Sequence, residues 1–465
     1  MGRYKYLFKN IGLLTLSQFA TKFLSFFLVP LYTSVLTTAE YGTYDLFNTT
    51  IGVLLPVLTL NIQEAILRFS LDKKSNKDAI VSVGFRYLAI SNIIVAIGLT
   101  VNQVIGVSDI VKDYSLLIFF MFLVQSLSGV ITTYARGVEK IADLSISSVI
   151  ASIVTISCNI IFLVVFGWGL IGYFLANIIG PFIQSGYLLI RTGFLSHIKG
   201  NKYEEESKEM TSYSKPLIAN SIAWWVNNSL DKYVIVFFCG LADNGIFSVA
   251  GKIPSILNIF QSIFNQAWTL SAVKDYDPDD KNGFFSNTYK AYNCMMVILC
   301  AGIILFDKVL AKLLYANEFY AAWKYVPWLT IAIVFGALSG YLGGFFAAVK
   351  DSKVFSYSSV VGAITNLVLN VILTMAIGTM GAAIATTICY VEIWAIRFWQ
   401  AKKYIKLSIK IQRDILSYIL LVVQSIVLVQ EISIGYLLQT VIFVLICGLY
   451  IKDIKSILIK ILKKG

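Results

Sequence analysis

Apolar runs of about twenty residues recur along almost the whole chain, each closed by a short polar or glycine-bearing stretch. A helix of about 20 residues, rising 1.5 Å per residue, crosses the roughly 30 Å hydrocarbon layer of a bilayer. Without water in that layer the backbone must satisfy its own hydrogen bonds. Runs this long and evenly apolar do so as helices, not as barrel strands. The pattern predicts an all-α polytopic membrane protein with about fourteen spans: roughly 11–34, 43–67, 80–101, 114–135, 143–166, 169–190, 213–238, 245–270, 288–306, 325–348, 354–377, 379–397, 414–430 and 433–451. The first run, Ile11 to Leu36, is too long for the apolar part of a secretory leader and lacks a small-residue cleavage site, so it is expected to be the first span.

Polar residues inside the spans fall on stripes. Thr15, Gln18, Lys22 and Ser25 share a helix face in the first span, with Lys22 near mid-depth. Asn48, Gly52, Pro56, Thr59 and Gln63 do so in the second, where Glu64 and Arg68, four apart, are placed to pair near its inner end. Asn220, Trp224, Asn227 and Asp231 line span seven, and Ser248, Lys252, Ser255, Ser262 and Gln266 line span eight. Charges at such depth are costly, so those that persist usually meet a cavity or a partner. The stripes are expected to line one central cavity. Arg86, Lys22 and Lys252, at increasing depth, make a ladder of cations suited to a passing anionic head group. Lys232 either joins that ladder or snorkels outward. Asp231 is expected to pair with Lys252 when the site is empty. Blander roles stand beside these: Arg86 and Arg68 as snorkelling residues, Asn159 and Asn370 as glue between helices, Trp224 and Trp225 as an interfacial belt, Pro56 and Pro254 as static kinks.

The two halves resemble each other. At an offset of 211, Ser147-Ser148-Val149-Ile150 pairs with Ser358-Ser359-Val360-Val361, Thr155 with Asn366, Asn159 with Asn370, and Gly167 with Gly378. At an offset of 203, Ala39-Glu40-Tyr41-Gly42-Thr43-Tyr44 pairs with Ala242-Asp243-Asn244-Gly245-Ile246-Phe247. Chance likeness among apolar segments is the alternative, but the matches include polar and glycine positions. Six spans per half would make the repeats parallel, as in carriers whose two lobes rock about a substrate. The expected organisation is an N-terminal lobe over 1–200, a solvated linker over 201–212 carrying Glu204-Glu205-Glu206, a C-terminal lobe over 213–400, and two extra spans with a basic amphipathic tail over 401–465.

Composition agrees: of 465 residues, 57% are hydrophobic and 14% charged, more apolar surface than a soluble chain could cover. The net charge of +12 does not point to nucleic acid, because the cations follow membrane topology. With the N-terminus inside, about 31 of the 38 Lys and Arg fall in cytoplasmic segments and helix ends, and only Lys112, Lys308, Lys312 and Lys324 in outer loops. That asymmetry places both termini in the cytoplasm. Six cysteines without a C-x-x-C pair and a lone histidine, His197, argue against a zinc site or histidine catalysis, so no metal or cofactor is expected. Gly245-x5-Gly251-Lys252-Ile253 has one residue too many, and no Ser or Thr after the lysine, to be a phosphate loop.

Leu31-Tyr32 before Ala39-Glu40-Tyr41-Gly42-Thr43-Tyr44, then Leu230-Asp231-Lys232-Tyr233, then Phe247-Ser248-Val249-Ala250-Gly251-Lys252-Ile253-Pro254 carry a resemblance over nearly the whole chain. The sequence resembles the polysaccharide-export (Wzx-type) flippases of the multidrug/oligosaccharidyl-lipid/polysaccharide superfamily. The resemblance implies a V-shaped pair of six-helix lobes around a cationic cavity in the bacterial cytoplasmic membrane. It also implies inner-to-outer transport of undecaprenyl-pyrophosphate-linked oligosaccharide for capsule, O-antigen or exopolysaccharide, with membrane lipids and the polysaccharide polymerase machinery as further partners. It places Lys22 and Lys252 among the cavity cations, where relatives often carry arginine. The substrate-binding set expected is Lys22, Lys252, Arg86, Asp231, Lys232, Gln18, Ser255 and Asn227, with Asp231 and Glu64 as coupling carboxylates. A multidrug/cation antiporter of the same superfamily is the nearest rival, disfavoured because the intramembrane charges are mostly basic. A membrane glycan polymerase or ligase is a second, disfavoured because no large outer loop supplies catalytic groups; an enzyme is not expected.

Overall fold

The computed structural model describes residues 26–72, 75–274, 276–349 and 351–455. Every regular element among them is helical. Contacts gather the chain into two compact units, Met1–Ser229 and Leu230–Gly465. Nine of the described helices are long and apolar enough to cross a membrane, and eleven spans result if each of two bent pairs counts as one.

The first unit holds α1 (Phe26–Val35), α2 (Thr38–Leu58), α3 (Ile62–Ser70), α4 (Lys77–Ile105), the short α5 (Asp109–Asp113), α6 (Ser115–Gly137), α7 (Ile141–Asn159, continued by a π-turn over Ile160–Val165) and α8 (Gly169–Thr192). Thr37 and Glu40 form a capping box that fixes the start of α2: the Glu40 amide donates to Thr37 Oγ1 and the Thr37 amide to Glu40 Oε2. The kink expected from Pro56 falls just beyond it. Asn61 donates to the Pro56 carbonyl, Leu60 and Asn61 take left-handed φ angles of 53° and 51°, and the chain bends by 62° into α3.

α9 (Glu204–Cys239) runs from the first unit into the second. It starts inside the stretch read as a linker, and Glu204, Glu205 and Glu206 occupy its first turn, where the helix dipole favours negative charge. The connection into it is no loose tether. His197 Nδ1 lies against Asp78 Oδ1, Ser82 Oγ donates to the His197 carbonyl and accepts from the Lys199 amide, and Arg86 donates to the carbonyls of Asn201 and Lys202. Asp78, Ser82 and Arg86 are four apart, so one face of α4 straps this segment down. Beneath the strap, Phe194 and Met210 are buried with Ile66, Val83 and Tyr134.

The second unit continues with α10 (Leu241–Ala250), α11 (Ser255–Lys274), α12 (Phe284–Leu314), a 3-10 stretch over Asn317–Lys324, α13 (Val326–Ala348), α14 (Ser352–Ile377), α15 (Thr379–Ala401), α16 (Ile411–Val429) and α17 (Gly435–Leu449). The last two helices dock on α12 through a buried network: Asn293 donates to Tyr450 Oη, Tyr450 to Asp414, Tyr418 to Asn293, and Arg413 holds both Asp414 and Asp453. Of the tail from Lys452, residues past 455 lie outside the described set.

The repeat extends to single hydrogen bonds. Ser147 and Ser148 both donate to the Leu144 carbonyl, and Ser358 and Ser359 to that of Phe355, at the same offset of 211. Asn159 donates to the Thr155 carbonyl and Asn370 to the Asn366 side chain. Gly167 and Gly378 both turn the chain with positive φ, 64° and 66°. In each unit the repeat's second span is the bent one, α2–α3 in the first and α10–α11 in the second.

Candidate functional site

Lys252 sits in the break of a span. The stripe Ser248, Lys252, Ser255 was counted along a continuous helix, but α10 stops at Ala250 and α11 starts at Ser255, with a 51° bend across Gly251–Pro254. Pro254 lacks the N–H that would bond the Ala250 carbonyl, and its ring clashes with that carbonyl. The broken turn satisfies its own backbone: Lys252 N donates to Val249 O, Ser255 N to Gly251 O, Ile256 N to Ile253 O and Leu257 N to Pro254 O. Ser255 Oγ, 2.6 Å from the Lys252 carbonyl, is spent on the turn itself. What the break offers a ligand is therefore the half-buried ammonium of Lys252 beside the positive end of the α11 dipole. No carboxylate is paired with it among the described residues; the expected Asp231–Lys252 pair is not formed, because the bend takes Lys252 off the straight-helix register.

Asp231 and Lys232 lie on α9 one turn after Asn227. Asp231 is buried, and its Oδ1 accepts from the Lys232 amide. Asn227 buries its side-chain oxygen without a hydrogen-bond partner among the described residues, which leaves an acceptor in place for a ligand hydroxyl. Earlier on α9, within the first unit, Trp225 donates to the Thr49 carbonyl and packs on Gly52, and Ser221 accepts from Asn61. Part of the α2 stripe is thus covered by α9, and Asn48 accepts from Gln125 of α6. Trp224 is exposed.

The remaining expected residues are dispersed. Arg86 is held by the carbonyls of the strap at 2.5 and 3.3 Å. Glu64 and Arg68 are exposed on α3 and form no ion pair among the described residues. Gln18 and Lys22 lie outside the described residues.

Two buried charges escaped the sequence argument because they sit where hydropathy windows end. Arg397, the last residue of the span expected over 379–397 and inside α15, is 5% exposed; it donates to Ser358 Oγ, Ser359 Oγ and the Ser339 carbonyl, and its guanidinium stacks 4.1 Å from the centre of the Phe355 ring. Asp307, placed in a loop by the window ending at 306, is inside α12, which runs on to Leu314. The signal for both was the charge itself, at or just past the end of an apolar run.

A family described as "Polysaccharide biosynthesis protein" matches residues 7–270, more than half of the chain. Over 191 residues the chain is 22% identical to the "Probable low-salt glycan biosynthesis flippase Agl15" of Haloferax volcanii; the aligned stretch spans 40% of each chain. Among solved structures, "Lipid II flippase MurJ, inward closed conformation" superposes with a TM-score of 0.69 at 13% identity, covering 94% of this chain and 98% of that one. A multidrug resistance transporter of the MATE family, of the MOP superfamily and in an inward-facing conformation, superposes with a TM-score of 0.63 at 15% identity, covering 84% of this chain and 94% of the other. At such identities the likeness to the two structures is one of fold.

Proposed function

The chain belongs to the family of polysaccharide biosynthesis proteins, and on that premise we propose that it flips undecaprenyl-pyrophosphate-linked oligosaccharide repeat units from the inner to the outer leaflet of a bacterial cytoplasmic membrane. The units feed capsule, O-antigen or exopolysaccharide synthesis, and the protein works by alternating access with both termini in the cytoplasm. A relative is named as a glycan biosynthesis flippase, and the fold is shared with a lipid II flippase.

The observation that carries the reading to an anionic substrate is Lys252, a half-buried ammonium in a broken span with no carboxylate paired to it among the described residues. A cavity for cationic drugs would favour the opposite sign. Lysine offers a point charge to a pyrophosphate where water is scarce. Lys22 and Lys252 are the proposed rungs for the pyrophosphate, with Lys232 beside them. Asn227 and Gln18 supply hydrogen bonds to sugar, Ser255 can only accept one because its hydroxyl donates to the Lys252 carbonyl, and Arg86, already engaged by two carbonyls, acts at the entry end. Asp231 and Glu64 are the proposed coupling carboxylates. The polysaccharide polymerase machinery is the proposed recipient of the product.

The test is reconstitution. Proteoliposomes loaded with a fluorescent pyrophosphate-linked oligosaccharide lipid should expose it to an added glycosidase at a rate well above protein-free vesicles. Equal rates in both, with drug efflux in the same vesicles, would favour the antiporter instead.

A further inference from the structure

Arg86 holds the strap with a charge that nothing neutralises. Its Nη2 donates to the carbonyls of Lys202 and Asn201 at 2.5 and 3.3 Å, and among the described residues Nε and Nη1 have no partner. Glu204, Glu205 and Glu206 follow in the first turn of α9, yet among the described residues neither they nor any other carboxylate pairs with Arg86. Both acceptors are neutral, and part of the guanidinium fork stands open.

The second unit has the same device with its charge settled. The Ser408 amide donates to Ser286 Oγ near the start of α12, as the Lys199 amide donates to Ser82 Oγ near the start of α4. α4 and α12 each correspond to the third expected span of their repeat, so the two straps are repeated elements. In the second, Lys406 Nζ meets a carboxylate, Asp279 Oδ1, at 2.8 Å. In the first, Arg86 meets carbonyls alone. The first strap is also held against a backbone preference: Tyr203, between the Lys202 carbonyl and α9, has a φ of 46°, a strained region for a bulky residue. Asn201 and Lys202 are exposed, so water can satisfy their carbonyls once Arg86 lets go.

We propose that residues 198–203 are a latch opened by an anion: a phosphate or pyrophosphate group that reaches Arg86 takes the guanidinium from the carbonyls of Asn201 and Lys202, and the strap lifts off α4. Phosphate oxygens win this exchange because both partners of the bond are then charged and because they fit the guanidinium fork two at a time. Lys199 and Lys202, exposed on the strap, add to the positive field there. The lift starts at Arg86 and reaches Ser82, one helical turn away, which then gives up the Lys199 amide. Phe194, buried with Met210, keeps the near end fixed. The freed segment leads into α9, the helix of Asn227, Asp231 and Lys232, so arrival of the anion is passed to that helix. The latch rests on the flippase reading for the source of its anion.

Hydrogen exchange on the full-length protein in detergent tests it. The probes are inorganic pyrophosphate and farnesyl pyrophosphate; the controls are sodium chloride at equal ionic strength and farnesol. Pyrophosphate in either form should speed exchange over 199–203 by about fivefold or more, saturably, while α4 keeps its protection. A response to both probes assigns the opening to the anion itself, and a response to farnesyl pyrophosphate alone assigns it to a lipid head group. Arg86→Ala should start with a fast strap and show no response. Arg86→Lys, which keeps the charge without the fork, should respond only at severalfold higher concentrations. Strap exchange that neither probe changes, or that either one slows, would overturn the latch, as would a wild-type response in Arg86→Ala. Exchange is read without transport, so the two readings fail separately: protein that flips the lipid while its strap stays protected sinks the latch alone, and a strap that opens in protein that does not flip sinks the flippase reading alone.

Discussion

His197 Nδ1 lies 2.5 Å from Asp78 Oδ1, and this pair starts the strap that carries the chain from α8 along α4 into α9. Both side chains are about one-third exposed, so the pair is worth up to about 1 kcal/mol. His197→Ala should speed amide exchange over residues 194–203 by roughly fivefold while α4 keeps its protection. Unchanged exchange there would mean that Ser82 and Arg86 hold the strap unaided.

Arg397 joins three helices, α13 through Ser339, α14 through Ser358 and Ser359, and its own α15. Removing it leaves a cavity and takes a buried donor from Ser358 Oγ, Ser359 Oγ and the Ser339 carbonyl, so Arg397→Ala should destabilise the second unit by roughly 2–4 kcal/mol. Arg397→Lys should recover only part, because an ammonium cannot reproduce the fork. Apparent melting temperatures in detergent measure both.

Gly378 combines φ 66° with ψ −154°, a conformation essentially closed to residues with a Cβ. Nothing crowds the position, so the cost of Gly378→Ala is purely backbone strain, about 1–3 kcal/mol. Gly98→Ala, at an exposed helical site with equally open space, is the matched control and should cost nothing in the same melting assay.

A pH-dependent tie joins the loop before α12 to the segment after α15. Lys406 Nζ is 2.8 Å from Asp279 Oδ1, and beside it the Lys406 amide donates to the Pro278 carbonyl. The lysine holds the Asp279 carboxyl below its usual range, and the carboxylate raises the Lys406 ammonium. A depressed carboxyl contributes stability above its unfolded pKa and loses it as pH falls through the folded one. A raised ammonium contributes below its unfolded pKa and loses it as pH rises through the folded one. The tie should therefore be full at neutral pH, fade below the aspartate range of about 3.9, and fade again above the lysine range of about 10.4. Exchange of the Lys406 amide against pH, with Asp279→Asn as the flat reference, checks it. Both groups are exposed, so salt should weaken the tie as well.

Much of this was legible in the sequence. The span pattern survives in the helices, and the repeat survives down to the paired serines, because both rest on periodicity and local hydrogen bonding. The strap was not legible: the linker from 201 read as solvated, and the polar groups leading into it gave no hint that α4 would supply partners more than a hundred residues away in sequence. Arg397 and Asp307 were lost for another reason. The expected spans end at Arg397 and just before Asp307, whereas the helices run on past both charges and bury them. Lys252 was found, but its register was not, since a stripe counted through Pro254 assumes a helix that the proline ends.

The measurement that bears most directly on the central claim is flipping of the pyrophosphate-linked oligosaccharide lipid by Lys252→Gln and by the Lys22→Gln/Lys252→Gln double variant, each confirmed as folded and inserted. Loss of a cation that contacts the pyrophosphate should slow transport at least tenfold, equivalent to about 1.4 kcal/mol, with Lys252→Arg retaining most of the rate. Wild-type flipping by the double variant would contradict a cationic path through the broken span.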